Sequence, residues 1–310
     1  MSKGFLNRYP LVLGEGSMYE RLRRGASASF DPYIAHAGMI YDEIGRQVLL
    51  DTHCEYLDIG QQFGVPMVAG TPTWRANADR ISKSRFAGRS VNTDAYAFMT
   101  ELKESYGPDA SPILIAGVTG PFGDGYLPEE APDTLSAITL HTPQIEELAQ
   151  TGIDFFKAQT LPSFPEAKGI AQVLSSTGLP YVLSFVVRPD GCILDGTPID
   201  LAIDEIDNEA QHPPVNYAIN CVHASVFSST YRTAYDRNKN AAQRIVGIDA
   251  NTSTKTPEEL EGLEEIDTEA PQDFGTNLAT LRRMLGISYL GGCCGSSTSH
   301  INALAAQLNT

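Results

Sequence analysis

The feature that most constrains the fold of this chain is a short apolar run that recurs eight times along its 310 residues. The runs are rich in aliphatic, β-branched and aromatic side chains, and each gives way to small or polar residues followed by a helix-like or loop segment. Short apolar runs bounded in this way are typical of buried β-strands. They begin at Leu11, Met67, Ile113, Phe155, Tyr181, Tyr217, Ile245 and Ile287.

Amphipathic stretches lie between the runs. The clearest span His36 to Gly60, Thr142 to Gly152 and Thr276 to Gly286, and each closes on a glycine, as helices commonly do. Eight strand-and-helix units predict an α/β fold, a (β/α)8 TIM barrel, as one domain over residues 1–310. A doubly wound open sheet is the alternative. No linker rich in Pro, Gly or Ser divides the chain.

Charge and cysteine content limit the partners and the compartment. The chain has 22 Lys plus Arg against 38 Asp plus Glu, a net charge of -16, so nucleic acid and anionic membranes are poor partners. Five cysteines in a chain of this length indicate a reducing compartment. We expect a cytoplasmic protein, since the start of the chain lacks a secretory signal and runs such as Tyr181 to Val187 are too short to cross a bilayer. The acidic segment Lys255 to Asp273 predicts a solvated helix and loop.

The cysteines fall at informative positions. In a barrel of this kind the C-terminal ends of the strands converge on the active site. Cys221 closes the sixth run, and the adjacent Cys293 and Cys294 close the eighth, whereas Cys54 and Cys192 fall in a predicted helix and loop. Neighbouring cysteines do not readily pair with each other. Three thiols are therefore expected on one face of the barrel.

Three convergent thiolates suit Zn²⁺, which accepts sulfur ligands and keeps a fourth position open in catalytic sites. Glycines flank the Cys293–Cys294 pair and allow the backbone to bend toward one ion. The alternative is that these cysteines are inert packing residues. His223, two residues beyond Cys221, competes for the metal, although capping a helix is the commoner role. His300 is predicted to be structural, near the start of the last helix.

Two further strand ends suggest substrate contacts. Glu15 stands between glycines after the first run, and Gln159 stands at the end of the fourth. The Glu15 carboxylate could hold an ammonium group of a substrate, and the alternative is that it pairs with an Arg or with backbone amides. The glycine-rich stretch Gly117 to Tyr126 lacks the Lys-Ser/Thr of a P-loop and the spacing of a dinucleotide fingerprint. It predicts a close approach of the backbone to a ligand, or a tight turn.

Together these residues resemble the homocysteine S-methyltransferase family, and the likeness covers nearly the full length. "INCVH" resembles the family's Asn-Cys stretch, and "GGCCG" its most specific signature. The resemblance implies a zinc-containing (β/α)8 barrel that transfers a methyl group to a thiol. It also implies that Cys221, Cys293 and Cys294 are the zinc ligands.

Other segments support the same resemblance. They are "GEGSMYERLRRG", "TPTWRAN", "AGVTGPFGDGY", "FKAQTLPSFPEA" and "RPDGCILDGTP". Two positions differ from the family, which has Asp where this chain has Glu15 and Glu where it has Gln159. In the family that pair of acids grips the amino group of homocysteine. The predicted acceptor is therefore homocysteine or a related small thiol, giving methionine or a thioether.

The resemblance assigns the remaining residues of the predicted site. The residues expected to hold or orient the acceptor, or to line its pocket, are Glu15, Gly16, Ser17, Thr71, Thr73, Gly117, Gln159, Thr160, Ser184 and Asn220. The preferred donor is a free sulfonium such as S-methylmethionine or S-adenosylmethionine, while a quaternary amine and a separate corrinoid protein remain open. Two other classes are alternatives: a zinc-dependent hydrolase or lyase that uses His223 as its base, and a non-catalytic thiol-binding protein.

Overall fold

Eight parallel strands close into a barrel in sequential order, with the last strand paired to the first. The structure is a computed structural model that describes residues 8–25, 30–260 and 267–309. Each predicted run contains one strand, so the (β/α)8 prediction is confirmed and the open sheet is excluded. The strands are β1 (Val12–Gly14), β2 (Met67–Gly70), β3 (Ile113–Thr119), β4 (Phe155–Leu161), β5 (Tyr181–Phe185), β6 (Asn216–Val222), β7 (Ile245–Ala250) and β8 (Tyr289–Gly292).

Helices surround the barrel. They are α1 (Tyr19–Arg24), α2 (Glu43–Phe63), α3 (Ala78–Lys83), α4 (Val91–Ser105), α5 (Thr134–Ala149), α6 (Phe164–Thr177), α7 (Ile199–Glu209), α8 (Ala224–Arg237), α9 (Lys239–Ala242), α10 (Pro257–Leu260), α11 (Pro271–Leu285) and α12 (Thr298–Leu308). Short 3-10 helices occupy His36–Tyr41 and Pro128–Glu130.

Two of the three glycines that were expected to end helices have other roles. Gly60 lies inside α2, where a Cβ would come within 2.3 Å of Met67 Cγ, and Gly152 lies beyond α5, where a Cβ would come within 2.2 Å of the Tyr96 hydroxyl. Both are therefore required for close packing. Gly286 does cap α11, with a φ of 72° in the left-handed region.

The strands are buried on both faces, as parallel strands between a barrel interior and an outer helical layer must be. Part of the acidic segment forms the short helix α10, and its last residues begin α11. Residues 261–266 of that segment lie outside the described part of the chain. Within the described ranges, no helix is both long and apolar enough to cross a membrane.

Candidate active site

A cavity of about 390 Å³ opens at the C-terminal ends of the strands, where barrel enzymes place their chemistry. The chain approaches it from several strand ends, so residues far apart in sequence meet there. The predicted site residues that line it are Glu15, Gly16, Ser17, Thr71, Gln159, Thr160, Asn220, Cys221, Cys293 and Cys294. The tertiary fold therefore brings most of the predicted set into one volume.

The three strand-end cysteines converge in this cavity. Cys221 lies near the end of β6, and Cys293 and Cys294 follow β8; their sulfur atoms all lie within 4.8 Å of one another. The structure joins Cys221 to Cys293 as a disulfide, a bond that the sequence did not predict. Cys54 and Cys192 are free thiols in α2 and in the segment after β5.

The local backbone turns Cys221 toward its partners. Cys221 has a φ of 56°, an uncommon value for a residue with a side chain, and the register of β6 against β7 shifts at this point. Thr160 at the end of β4 has a similar φ of 63°. Such conformations persist where the surroundings hold them, and they are common at functional sites.

Asn220 provides much of that support. Its Oδ1 accepts hydrogen bonds from the Thr160 backbone N–H at 3.0 Å and from the Ser184 hydroxyl at 2.9 Å. Its Nδ2 donates to Thr160 Oγ1 at 2.9 Å and lies 3.3 Å from Cys221 Sγ. Ser184 does not itself line the cavity, so its effect on the site passes through Asn220.

The surroundings of Cys294 disfavour a bare thiolate. Burial raises the pKa of Cys294 to about 11, and the negative charge of Glu20 adds to this effect, while the nearby Tyr126 hydroxyl at 3.9 Å opposes it. Glu20 is held in place because Oε2 accepts a hydrogen bond from the Gly295 backbone at 2.6 Å. Gly295 has a φ of 80°, so the turn after the cysteine pair needs a glycine.

Glu15 is already engaged within the protein. Its Oε1 lies 2.5 Å from His53 Nδ1, and its Oε2 accepts from the Gly70 backbone N–H at 3.0 Å. The neighbouring His36 is buried, and this burial together with the charge of His53 lowers the pKa of His36 to about 3. The part of the cavity around Glu15 thus contains one carboxylate, its partner His53 and the neutral His36.

Two predicted lining residues do not face the cavity. Thr73 is fully buried, and its hydroxyl bonds the Thr71 hydroxyl and the Val118 carbonyl, each at 2.6 Å. Gly117 faces outward, where a Cβ would come within 2.6 Å of Ile153. Thr73 orients Thr71, whereas Gly117 serves the packing of the outer layer.

The glycine-rich stretch makes close approaches to the protein itself. A Cβ on Gly120 would lie 2.3 Å from Trp74 Nε1, and one on Gly125 would lie 2.7 Å from Thr160 Cγ2. Trp74 and Thr160 are therefore the neighbours that these glycines accommodate, and a close approach of this stretch to a ligand stays a prediction.

The two histidines that the sequence analysis weighed, His223 and His300, are structural. His223 Nδ1 accepts from the Ser225 backbone N–H and caps α8, while His300 forms a capping box with Ser297 at the start of α12. These positions agree with the commoner role expected for each from the sequence. His223 does not line the cavity, and the metal-ligating cluster found among the described residues consists of the three cysteines alone.

Sequence reasoning missed the His36–His53 pair and two further groups of lining residues. Aromatic side chains at the mouth are Tyr19, Trp74 and Tyr126, and polar side chains at the floor are Lys157, Asp249 and Tyr289. A signal for the second group was present, because "FFKAQ" and "IVGIDA" each place one charged residue inside an otherwise apolar strand run. A charge at a buried strand position needs a partner, and Lys157 and Asp249 are each other's partner.

The fold and the site define a class of protein: a closed parallel barrel with three cysteine sulfurs at its mouth. The chain belongs to the homocysteine S-methyltransferase family, whose sequence profile matches residues 12–308. It is accordingly a methyltransferase, and the family resemblance noted from the sequence is confirmed.

Similar proteins span nearly the whole chain. Homocysteine S-methyltransferase of Escherichia coli is 26% identical over 98% of this chain and 97% of its own length. YbgG of Bacillus subtilis is 25% identical over 97% and 95%. Betaine–homocysteine S-methyltransferase 1 of Danio rerio is 24% identical over 98% of this chain and 74% of its own length.

Solved structures agree on the fold. The homocysteine methyltransferase MmuM of Escherichia coli, in its oxidized form, superposes with a TM-score of 0.75 at 20% identity, with 98% of each chain covered. The metallated form of the same protein gives a TM-score of 0.74, with 97% of this chain and 98% of that one covered. At this level of identity the likeness concerns the fold.

Proposed function

We propose that the protein moves a methyl group from an activated donor to the sulfur of a small thiol, homocysteine or a related compound, at a Zn²⁺ ion held by Cys221, Cys293 and Cys294. The single observation that supports this most is the convergence of these three sulfurs within 4.8 Å in the mouth of the barrel. Membership in a family of thiol methyltransferases supplies the reaction class.

The donor set fits zinc. Three sulfur ligands with a fourth position left for substrate are typical of a catalytic zinc site, and Zn–S bonds of about 2.3 Å hold the sulfurs less than about 4 Å apart. The bond between Cys221 and Cys293 has to be reduced before both sulfurs can bind the ion. A metallated form of the structurally similar Escherichia coli protein supports a metal in this fold.

When bound, the ion would favour the thiolate form of the acceptor over its thiol form and so supply a sulfur nucleophile at neutral pH. The residues around the three cysteines prepare the site for the ion. Asn220 supports the strained backbone at Cys221 and Thr160, and burial raises the pKa of Cys294, so that the cysteine needs a cation beside it to ionise. The cavity walls would hold the acceptor beside the ion, which is the positioning that attack on a methyl group needs.

The acceptor's polar end would lie against the wall made by β1 and β4. Glu15, Gly16 and Ser17 form one side of this wall, and Gln159 and Thr160 form the other. Because Glu15 is paired with His53 and the Gly70 amide, it offers an ammonium group only the remaining lone pairs of its carboxylate. This arrangement fits a weaker grip on an amine than two free acids would give.

The mouth fits a donor with a positive methyl-bearing centre. Tyr19, Trp74 and Tyr126 line it, and aromatic faces attract sulfonium and quaternary ammonium groups. Arg75 already lies over the Trp74 ring at 4.4 Å, and a guanidinium group pairs well with a carboxylate. A zwitterionic sulfonium such as S-methylmethionine or S-adenosylmethionine matches both features, and similar proteins include an S-methylmethionine–homocysteine methyltransferase of Pongo abelii.

His223, the base named for the rival hydrolase or lyase, caps α8 outside the cavity, which disfavours that rival. His53 does line the cavity, but its Nδ1 is paired with Glu15. The test that separates the proposal from its rivals is metal analysis followed by a methyl-transfer assay over several thiols and donors. We expect one zinc per chain and a methylated thiol as product. Stoichiometric zinc with no transfer to any thiol from any of the donors would overturn the proposal.

A further inference from the structure

A buried polar network lies inside the barrel beneath the cysteines. Lys157 on β4, Asp249 on β7 and Tyr289 on β8 meet there, with Lys157 Nζ 2.7 Å from Asp249 Oδ2 and 2.7 Å from the Tyr289 hydroxyl. That hydroxyl donates to Asp249 Oδ1 at 2.5 Å. Lys157 and Asp249 are only 7% and 6% exposed. An ion pair this deep is costly to desolvate and is weak evidence of stabilisation, so it calls for another role.

Glycines on the neighbouring strands leave room for the network. A Cβ on Gly14 would lie 2.2 Å from the Tyr289 hydroxyl, and one on Gly291 would lie 2.5 Å from Asp249 Oδ1. A Cβ on Gly247 would come within 2.6 Å of the Tyr289 ring. Three inward-facing positions therefore have no side chain where these polar groups converge.

The network is one layer of side chains below the site. Asp249 is paired with Gly291, which precedes Cys293 by two residues, and Lys157 precedes Gln159 by two. Because alternate residues of a strand share a face, two positions separate the layers by about 6.5 Å. The same cavity is lined by Lys157, Asp249, Tyr289 and the three cysteines, so no wall separates the two layers.

One N–H donor of Lys157 is left for a ligand. A lysine ammonium has three N–H donors, and Lys157 has two partners among the described residues. Burial, followed by the charge of Asp249, raises the pKa of Tyr289 well above its ordinary value, so its proton stays and points to Asp249. Asp249 Oδ1 thus accepts that proton, and Oδ2 faces the Lys157 ammonium as an ion pair at 2.7 Å.

The space below the network cannot satisfy that third donor. It is a void of about 10 Å³, and its lining includes the apolar side chains of Phe155, Val182 and Ala218. Such a void is at the lower limit for one water molecule and offers few polar partners. The large cavity above is therefore where a partner for Lys157 can lie.

We propose that Lys157 binds the carboxylate of the acceptor, so that this site selects short mercapto acids over thiols with a neutral end. The inference rests on the proposed function and specifies its acceptor. An ammonium group at the same place would meet the charge of Lys157, while a carboxylate gains a charge-assisted hydrogen bond in a desolvated site. In homocysteine three carbons separate the sulfur from the carboxylate, which suits a distance of one side-chain layer.

The test compares two thiols of equal length, 4-mercaptobutyrate and 4-mercaptobutanol, which differ only at the end remote from sulfur. With the zinc-loaded protein and one donor, we expect kcat/KM to be about ten-fold to a hundred-fold higher for the acid. In Lys157→Met this ratio should fall close to one, whereas Lys168→Met, a lysine on the outer surface of α6, should retain it. Equal rates for the two thiols in the unaltered protein would overturn the inference without any variant.

A second variant guards against misfolding. Lys157→Met leaves Asp249 buried without a counter-ion, which is destabilising, whereas Lys157→Met/Asp249→Asn removes both charges. We expect the double variant to fold, to bind zinc and to show the same loss of preference. A preserved preference in either folded variant contradicts the role of Lys157.

A binding measurement separates this inference from the proposed function. The thioether products 4-(methylthio)butyrate and 4-(methylthio)butanol can be titrated calorimetrically into the protein without metal or donor. Tighter binding of the acid, lost in the Lys157 variants, supports the carboxylate site even if no turnover is found. Methyl transfer to both thiols without such a difference would sink the inference and leave the proposed function standing.

Discussion

The amide of Asn220 lies 3.3 Å from the sulfur of Cys221, the residue that follows it in the chain. The same side chain binds the backbone of Thr160, so one amide supports two residues with positive φ. Groups that hold a metal ligand from behind typically affect metal affinity ten-fold to a hundred-fold.

Asn220→Ala should therefore weaken zinc binding by about ten-fold or more and lower the free energy of unfolding by about 1–3 kcal/mol, because buried partners are left unsatisfied. Chelator competition and denaturant unfolding measure the two effects. Asn302→Ala, on the exposed face of α12, is the control and should change neither the zinc affinity nor the free energy of unfolding by much. Unchanged zinc affinity in Asn220→Ala would show that Cys221 is positioned without it.

Each of the three clustered cysteines should be needed for full zinc binding. Cys221→Ser, Cys293→Ser and Cys294→Ser should each lose most of the metal as measured by elemental analysis, because one of three sulfur ligands is replaced. Cys54→Ser and Cys192→Ser, whose thiols lie elsewhere, should bind one zinc per chain. Full zinc content in any variant of the first group removes that residue from the site.

Gln159→Glu should improve homocysteine as acceptor. The ammonium group of homocysteine can already donate to the amide oxygen, and a carboxylate at this position adds an opposite charge, which is worth about 1–2 kcal/mol or near ten-fold in kcat/KM. A thiol without an amino group is the control and should gain nothing. If kcat/KM for homocysteine is unchanged while zinc stays bound, the amino group does not lie beside residue 159.

The buried His36 should lower the free energy of unfolding as the pH falls into the mildly acidic range. Burial and the nearby His53 lower the pKa of His36 to about 3, so the folded state binds its proton less readily than the unfolded state, whose pKa is near 6.5. The stability contribution is complete above pH 6.5 and is lost as the pH falls toward 3, by up to about 1.4 kcal/mol per pH unit.

Replacement of His36 by Gln should flatten this part of the pH dependence, measured as the free energy of unfolding between pH 7 and pH 4. His212→Gln removes a histidine that is exposed and serves as the control. Parallel pH profiles for the His36 variant and the unaltered protein would mean that His36 takes up its proton without unfolding.

Gly14→Ala should destabilise the barrel. The new Cβ would lie 2.2 Å from the Tyr289 hydroxyl, which Lys157 and Asp249 hold in place, so the neighbour cannot move cheaply. Overpacking of this kind costs about 1–3 kcal/mol, measurable by denaturant unfolding. Gly25→Ala, where the nearest atom is 3.4 Å away, should cost much less. Equal stability of the two variants would show that the network shifts freely.

The sequence alone predicted the strand and helix units and the strand-end positions of the cysteines, with the closed barrel as the leading arrangement and the open sheet as the alternative. Eight apolar runs at barrel spacing can bury both faces only as parallel strands with helices outside, and the C-terminal strand ends then converge. Cys221 and the Cys293–Cys294 pair close two of those runs, so their meeting followed from the period of the pattern. The structural roles of His223 and His300 beside helix starts were also predictable, because helix starts have a local signature.

Only the tertiary structure decided whether a residue near a strand end faces the cavity or the outer helical layer. Gly117 and Gln159 both belong to strand-end segments, yet Gly117 faces Ile153 in the outer layer while Gln159 lines the cavity. A shift of one residue reverses the face of a strand, and the bulges at Thr160 and Cys221 change the register locally. No short stretch of sequence specifies that shift.

The pairing of Lys157 with Asp249 and Tyr289 is the clearest case. The three residues stand on three strands, separated by 92 and 40 positions, and each alone is an anomaly in a buried run. Barrel closure places β7 and β8 on one side of the interior and β4 on the other, and the glycines between them leave the space in which the three groups meet. Long-range closure, which a local pattern cannot encode, created the polar floor of the site.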